Sequence, residues 1–342
     1  MKAVGLYRHL PIDDPECLVD LELPQPTPEG RDLLVRVKAV SVNPVDTKVR
    51  KRGPKDKVEE PPRILGWDAA GIVEAVGPES ALFKPGDEVY YAGDITRQGC
   101  DSEFHLVDER IVGHKPKSLD FAEAAALPLT TLTAWEGLFS RLGITEQPAE
   151  NQGKSILIIN AAGGVGSIAT QLARRAGLTV IGTASRPESI QWAKEHGADY
   201  TIDHHQPFAP QLKALGNPTI PYIFCLNNLD QHWDNMVETI VPQGKICSIV
   251  SPQNPVNLGA LMDKSATFAW ELMFTRPRFQ TADMIEQHHI LDTVASLVDA
   301  GEIKTTLTQR LSPINAANLR KAHATLEQGS MIGKLVLEKF PE

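Results

Sequence analysis

Cysteine is scarce in this chain. Only Cys17, Cys100, Cys225 and Cys247 occur in 342 residues, far apart and without a CxxC pair. That excludes a disulfide framework and any zinc-finger or zinc-lobe spacing. Positive charge is in deficit too: 34 Lys and Arg face 43 Asp and Glu, a net charge of −9. Such a balance argues against a nucleic-acid or anionic-membrane surface. One basic run, Lys48, Arg50, Lys51, Arg52, Lys55 and Lys57, interrupts the acidic background; it reads as a solvated loop, not a polyanion site. No apolar run approaches the roughly 18 residues of a membrane span. Met1-Lys2-Ala3-Val4-Gly5 enters a strand pattern with no signal-like segment, so a cytoplasmic protein is expected. Internal repeats and low-complexity tracts are missing as well.

What is present is ordinary globular material, 42% hydrophobic and 23% charged, enough for two domains. The first hundred residues read as strands separated by Pro and Gly turns, at 33–40, 71–77 and 87–91. Helical texture follows at 122–127 and 132–142. From Ser155 strand and helix alternate. The run 156–159 is continuously apolar, as a strand buried on both faces requires, and a helix of period 3.6 ends at Gly177. Repeated βα units predict an α/β fold with a doubly wound parallel sheet. The expected arrangement is a β-rich domain at 1–126, a dinucleotide-binding domain at 127–267, and a return to the first domain at 268–342.

The segment Asn160-Ala161-Ala162-Gly163-Gly164-Val165-Gly166 sits where a strand hands over to a helix. Read as A-x-G-x-x-G, it is a Rossmann fingerprint with alanine in the first glycine place. Gly163 lets backbone approach a pyrophosphate, and Gly166 permits close helix–strand packing. The helix beginning near Gly164 and Val165 turns free N–H groups toward the phosphates. An NAD site wants a carboxylate at the end of the second strand. Here stand Thr183-Ala184-Ser185-Arg186, with no acid until Glu188. A hydroxyl followed by a guanidinium suits the 2′-phosphate of NADPH, whereas the plainer reading leaves Arg186 on a solvent-facing loop.

Together these motifs resemble the medium-chain dehydrogenase/reductase superfamily, over essentially the whole chain. The resemblance rests on Leu65-Gly66-Trp67-Asp68-Ala69-Ala70-Gly71-Ile72-Val73, on Lys84-Pro85-Gly86-Asp87-Glu88-Val89 and on the 161–166 loop. Within it, Val42-Asn43-Pro44-Val45-Asp46-Thr47-Lys48 and Leu132-Thr133-Ala134-Trp135 are similar to the quinone oxidoreductase branch and its zinc-type alcohol-dehydrogenase-like relatives. The resemblance implies a GroES-like β-barrel catalytic domain, a Rossmann domain and hydride transfer between them. In the zinc enzymes the metal ligands fall at places held here by Asn43, Trp67 and about Leu129, and the relay hydroxyl has become Val45. An amide, an indole and an aliphatic chain cannot replace two thiolates and an imidazole on tetrahedral zinc, so no metal is expected.

Without that Lewis acid, a quinone or an α,β-unsaturated carbonyl is the easier acceptor, because it delocalises the incoming charge itself. By carry-over Asn43 is a candidate oxyanion donor and Thr133 a holder of the nicotinamide carboxamide. Lys48, in the place of a tyrosine of several relatives, is a candidate to donate a proton or orient substrate, or is simply solvated. Asp46 reads as a helix-start or ion-pair residue. Trp67 is either plain core or an aromatic wall for a flat substrate. His204-His205, following Asp203, is discounted as a metal pair; His204 is matched instead to an aromatic beside the 2′-phosphate. His288-His289 reads as helix surface. The resemblance also implies a homodimer, joined near 267–270. Two other functions stay open: a zinc alcohol dehydrogenase with rearranged ligands, and a non-catalytic, crystallin-like NADPH-binding protein.

Overall fold

A computed structural model describes residues 1–54 and 56–341. It divides into two compact units, one formed by Met1–Leu129 and Phe274–Glu342, the other by Thr130–Met273.

The first unit is built on a seven-stranded sheet. Its order is Leu307–Leu311, Lys334–Glu338, Asp32–Ser41, Ala69–Val76, Glu88–Tyr91 and Val112–His114, with Phe104–Asp108 also on Asp32–Ser41. All pairs but the first are antiparallel. A smaller antiparallel sheet of Val19–Glu22, Lys2–Leu6 and Arg63–Ile64 accompanies it. Register slips in the long strand, between Leu34 and Val35 and between Val37 and Ala39, bend it in the manner of β-bulges. This is the β-rich domain that the strand and turn pattern predicts. The basic run differs from expectation. Pro44–Arg52 is a helix, and Arg50 is fully buried, its guanidinium bonded to Glu327 and to the carbonyl of Leu10. A buried guanidinium needs such partners, and they lie 277 and 40 residues away in sequence. Lys55 of the same run lies outside the described residues.

The second unit is a six-stranded, wholly parallel sheet in the order Tyr200–Ile202, Thr179–Thr183, Ser155–Ile159, Ile220–Cys225, Ile240–Ser248 and Thr267–Trp270. Strand order reverses beside Ser155–Ile159, which is the doubly wound pattern. Leu157, Ile159, Ile181, Ile223 and Ile246 join Phe208, Trp233 and Met236 in one core. The helical stretch read at 132–142 is composite: an α-helix, Pro128–Trp135, runs into a π-helix, Glu136–Arg141. All four cysteines are free and buried. Among the described residues no helix is long and apolar enough to cross a membrane.

Candidate active site

In the first unit, the segment Asn43–Asp46 opens the Pro44–Arg52 helix. The backbone N–H of Asn43 donates to Asp46 Oδ2 at 2.6 Å, a carboxylate reaching back to the helix start. Asp46 is therefore a helix-start residue, as expected. Burial pushes its carboxyl up to about 7, Asp68 adding to the rise, while the Asn43 N–H and the Lys334 ammonium hold it down.

The side chain of Asn43 faces inward. Its Nδ2 donates to Asp68 Oδ2 at 2.8 Å and lies 3.4 Å from the carbonyls of Ser41 and Trp67. Its Oδ1 accepts from the ammonium of Lys334. Lys334 also donates to Asp68 Oδ2 at 3.0 Å and to the Val42 carbonyl at 3.2 Å. The second oxygen of Asp68 accepts the Leu129 N–H at 2.7 Å. Asp68 is 0% exposed, Asn43 1% and Lys334 4%. Burial raises the Asp68 carboxyl above its usual value, opposed first by the Lys334 ammonium. One lysine, one carboxylate and one amide thus satisfy one another around the places 43, 67 and 129.

The structure thus places the Asn43 amide, expected as an oxyanion donor, as a link in a buried network. Trp67 is 1% exposed, donates its indole N–H to the Asp94 carbonyl at 3.3 Å and meets Phe274 edge-on at 6.2 Å. This burial and these partners are those of a core tryptophan. Lys48 stands on the exposed face of its helix; partial desolvation, then the Arg52 guanidinium, lower its ammonium. His288 is likewise not helix surface: it is buried, with Nδ1 on the Val112 carbonyl at 2.7 Å, while His289 is exposed.

Sequence reasoning missed Lys334 and the partnership of Asp68. A signal existed: Lys334 opens the apolar strand Lys334–Glu338, and a lysine at a core-facing strand position requires a buried counter-charge. Which acid supplies it is invisible at a separation of 266 residues.

In the second unit, Asn160 follows Ser155–Ile159 in the left-handed region at φ 70° and starts the glycine turn. Ala161 is buried, and its N–H donates to the Thr183 carbonyl at 3.2 Å. A Cβ on Gly166 would sit 2.2 Å from the Asn160 carbonyl oxygen and 2.7 Å from that of Ala161, both immovable backbone. On Gly163 the clash, 2.7 Å, is with the Asn160 side chain. Gly164, with Val165 behind it, begins a 12-residue helix with no acid in its first turn. A left-handed turn, two glycines and an uncountered helix start fit a dinucleotide pyrophosphate.

At the end of the next strand, Ser185 Oγ lies 3.4 Å from His204 Nε2. Arg186 is half-buried, and its Nε is 3.6 Å from Glu188 Oε1. Thr133 is buried in the helix Pro128–Trp135. The structure therefore brings together Ser185 with His204, and the 161–166 turn with Asn160. Among the described residues no group of three or more His, Cys, Asp or Glu could hold a metal ion.

Two family models match the chain: the alcohol dehydrogenase GroES-like domain over residues 29–134 and the zinc-binding dehydrogenase domain over 196–337. A zinc-type alcohol dehydrogenase-like protein of Staphylococcus aureus is 46% identical over 98% of this chain and 99% of its own. A quinone oxidoreductase of Pseudomonas aeruginosa is 33% identical over 94% of this chain and 96% of its own. Among solved structures, a protein of Rhizobium etli that carries a provisional zinc-dependent alcohol dehydrogenase name superposes with a TM-score of 0.95. It is 53% identical and the match covers 100% of this chain and 99% of that one. The Escherichia coli quinone oxidoreductase complexed with NADPH superposes at 0.82, with 25% identity and 99% and 100% coverage. The turn, the parallel sheet, the β domain and these relatives agree: the chain belongs to the medium-chain dehydrogenase/reductase superfamily, alongside its quinone oxidoreductases and zinc-type alcohol-dehydrogenase-like proteins.

Proposed function

We propose that the protein is an NADPH-dependent, zinc-independent oxidoreductase that reduces a quinone or an α,β-unsaturated carbonyl. The observation that carries this reading is the network at Asn43, Asp68 and Lys334. Where a Lewis acid would polarise a carbonyl, the chain buries an ammonium already bonded to a carboxylate and an amide. Two thiolates and an imidazole are what tetrahedral zinc asks for, and neither Asn43, Trp67 nor Leu129 offers one. An acceptor that spreads charge over its own conjugated system tolerates that lack.

The glycine turn at 161–166 and the start of the following helix would hold the pyrophosphate, Thr133 the carboxamide, and Ser185 with Arg186 and His204 the 2′-phosphate. When bound, the nicotinamide supplies the hydride. Reducing the acceptor by two electrons would consume that hydride and one proton, which solvent or Lys48 would supply. Lys48 suits the proton role because it is exposed and its ammonium is lowered. The exposed edge strand Thr267–Trp270, with Trp270 51% exposed, supports a homodimer formed by sheet extension.

The test is an acceptor panel followed by NADPH absorbance, with zinc quantified in tag-free protein. Turnover of quinones or enones with well under one zinc per chain, unaffected by chelators, is the expected result. A second reading, an alcohol dehydrogenase, draws on the zinc-type names of the relatives. Stoichiometric zinc whose removal abolishes turnover, or a saturated alcohol as best substrate, establishes it instead. If NADPH binds and no acceptor is reduced, the chain is a binding protein.

A further inference from the structure

We propose that His204 takes up a proton together with the 2′-phosphate of NADPH, so that cofactor choice in this chain is coupled to proton binding. The inference rests on the NADPH reading above and deepens it.

Several nitrogen-bearing side chains gather just past the ends of Thr179–Thr183 and Tyr200–Ile202. Ser185 Oγ is 3.4 Å from His204 Nε2. The His204 ring lies 4.3 Å from that of His205 and 6.3 Å from that of His232. His232 is buried and stacks on Phe208 at 5.5 Å. The charged and titratable groups acting on His204 are His205 and Arg186, which disfavour its protonation, and Asp203, which favours it. The Asp203 carboxylate is itself occupied in part by the backbone N–H of His205 at 2.9 Å. Burial first, then His205 and Arg186, hold the His204 imidazole below its ordinary value. Burial, with His204 and His205, takes His232 down to about 4. Both rings are therefore held toward the uncharged form.

A phosphate dianion set against Ser185 and Arg186 reverses the balance at His204. A double negative charge beside an imidazole favours the imidazolium, and Nε2 is the nitrogen already turned toward Ser185. NADH presents a hydroxyl at this place and supplies no such field. By reciprocity, a proton held more tightly in the NADPH complex makes NADPH bind more tightly as pH falls, by up to about tenfold per pH unit for one fully coupled proton. NADH affinity stays level. Asp203 and the crowding of His205 reduce the slope without changing its sign.

The experiment is calorimetric titration of the intact protein with NADPH and with NADH, in buffers of different ionisation enthalpy, between about pH 6.5 and 8.5. That window lies above the second ionisation of the phosphate itself, near 6. Wild type is expected to take up part of a proton with NADPH and none with NADH, and its NADPH Kd to rise several-fold across the window. His204→Asn and His204→Gln should still bind NADPH, without proton uptake and without the slope. NADPH binding tighter than NADH but free of proton uptake overturns the inference and leaves the NADPH reading standing. Uptake that persists in both variants places the proton elsewhere and overturns it as well. Equal Kd values for both cofactors at every pH overturn the NADPH reading, and the inference with it.

Discussion

Replacing Lys334 by methionine tests whether the buried network is what holds the first unit together. The side chain is 4% exposed and its ammonium serves Val42 O, Asn43 Oδ1 and Asp68 Oδ2. Lys334→Met keeps the stem and removes the charge, stranding Asp68 at 0% exposure. Losing one partner of a buried pair costs about 3–5 kcal/mol. A ceiling on the ionic part follows from proton linkage. Rather than stay charged, Asp68 can take a proton, which costs about 4 kcal/mol at pH 7 but only about 1.5 kcal/mol at pH 5, for an unfolded value near 3.9. In the variant the folded carboxyl lies further above its unfolded value than in wild type. The folded state then binds the extra proton, and the deficit grows as pH rises. Trp67 is the one tryptophan of this unit, so its resonance in fluorotryptophan-labelled protein reports denaturant unfolding of that unit apart from the other. The expected difference between variant and wild type is several kcal/mol at pH 7 and distinctly smaller at pH 5. A loss below about 1 kcal/mol at pH 7, or one equal at both pH values, refutes the reasoning. Lys334→Met combined with Asp68→Asn should recover most of the loss, since no charge then remains unpaired.

Gly166→Ala should abolish or severely weaken cofactor binding and lower stability by about 1–3 kcal/mol, because its Cβ meets backbone oxygen at 2.2 Å. Gly163→Ala meets a side chain that can turn away and should be milder; equal losses in cofactor titrations would contradict this. Arg186→Ala should weaken NADPH far more than NADH, by a charge-assisted contact of about 1.5–3 kcal/mol, and equal weakening of both removes Arg186 from the phosphate site. His105 sets an acid limb. Its Nδ1 faces Tyr91 Oη at 3.1 Å and its Nε2 the Gln98 carbonyl at 3.0 Å, while burial takes it down to about 4. Its folded value lies below the unfolded one near 6.5, so its contribution is complete above about pH 6.5 and is lost as pH falls toward 4, on the order of 3 kcal/mol. His105→Gln should flatten that part of the curve of melting temperature against pH, and an unchanged curve would assign the limb to other groups.

Local chemistry made the architecture readable. The continuous apolar run at 156–159, the period-3.6 helix after it and the glycines between them announce a strand, a turn and a helix, because each requirement is met by neighbours in sequence. The same holds for Asp46, whose capping partner is three residues away. Residue type alone also ruled the indole of Trp67 out as a zinc ligand. Where a side chain's partner comes from a distant segment, sequence was silent. Arg50 in a basic run looks solvated until Glu327 is packed beside it. Asn43 looks like a free donor until Asp68 and Lys334 close on its amide, and His288 looks like surface until the Val112 carbonyl accepts a hydrogen bond from its Nδ1. Periodicity and turn residues encode local conformation, whereas the pairing of buried polar groups depends on which strands the β sheet brings together. That is a property of tertiary topology, and only the fold decided it.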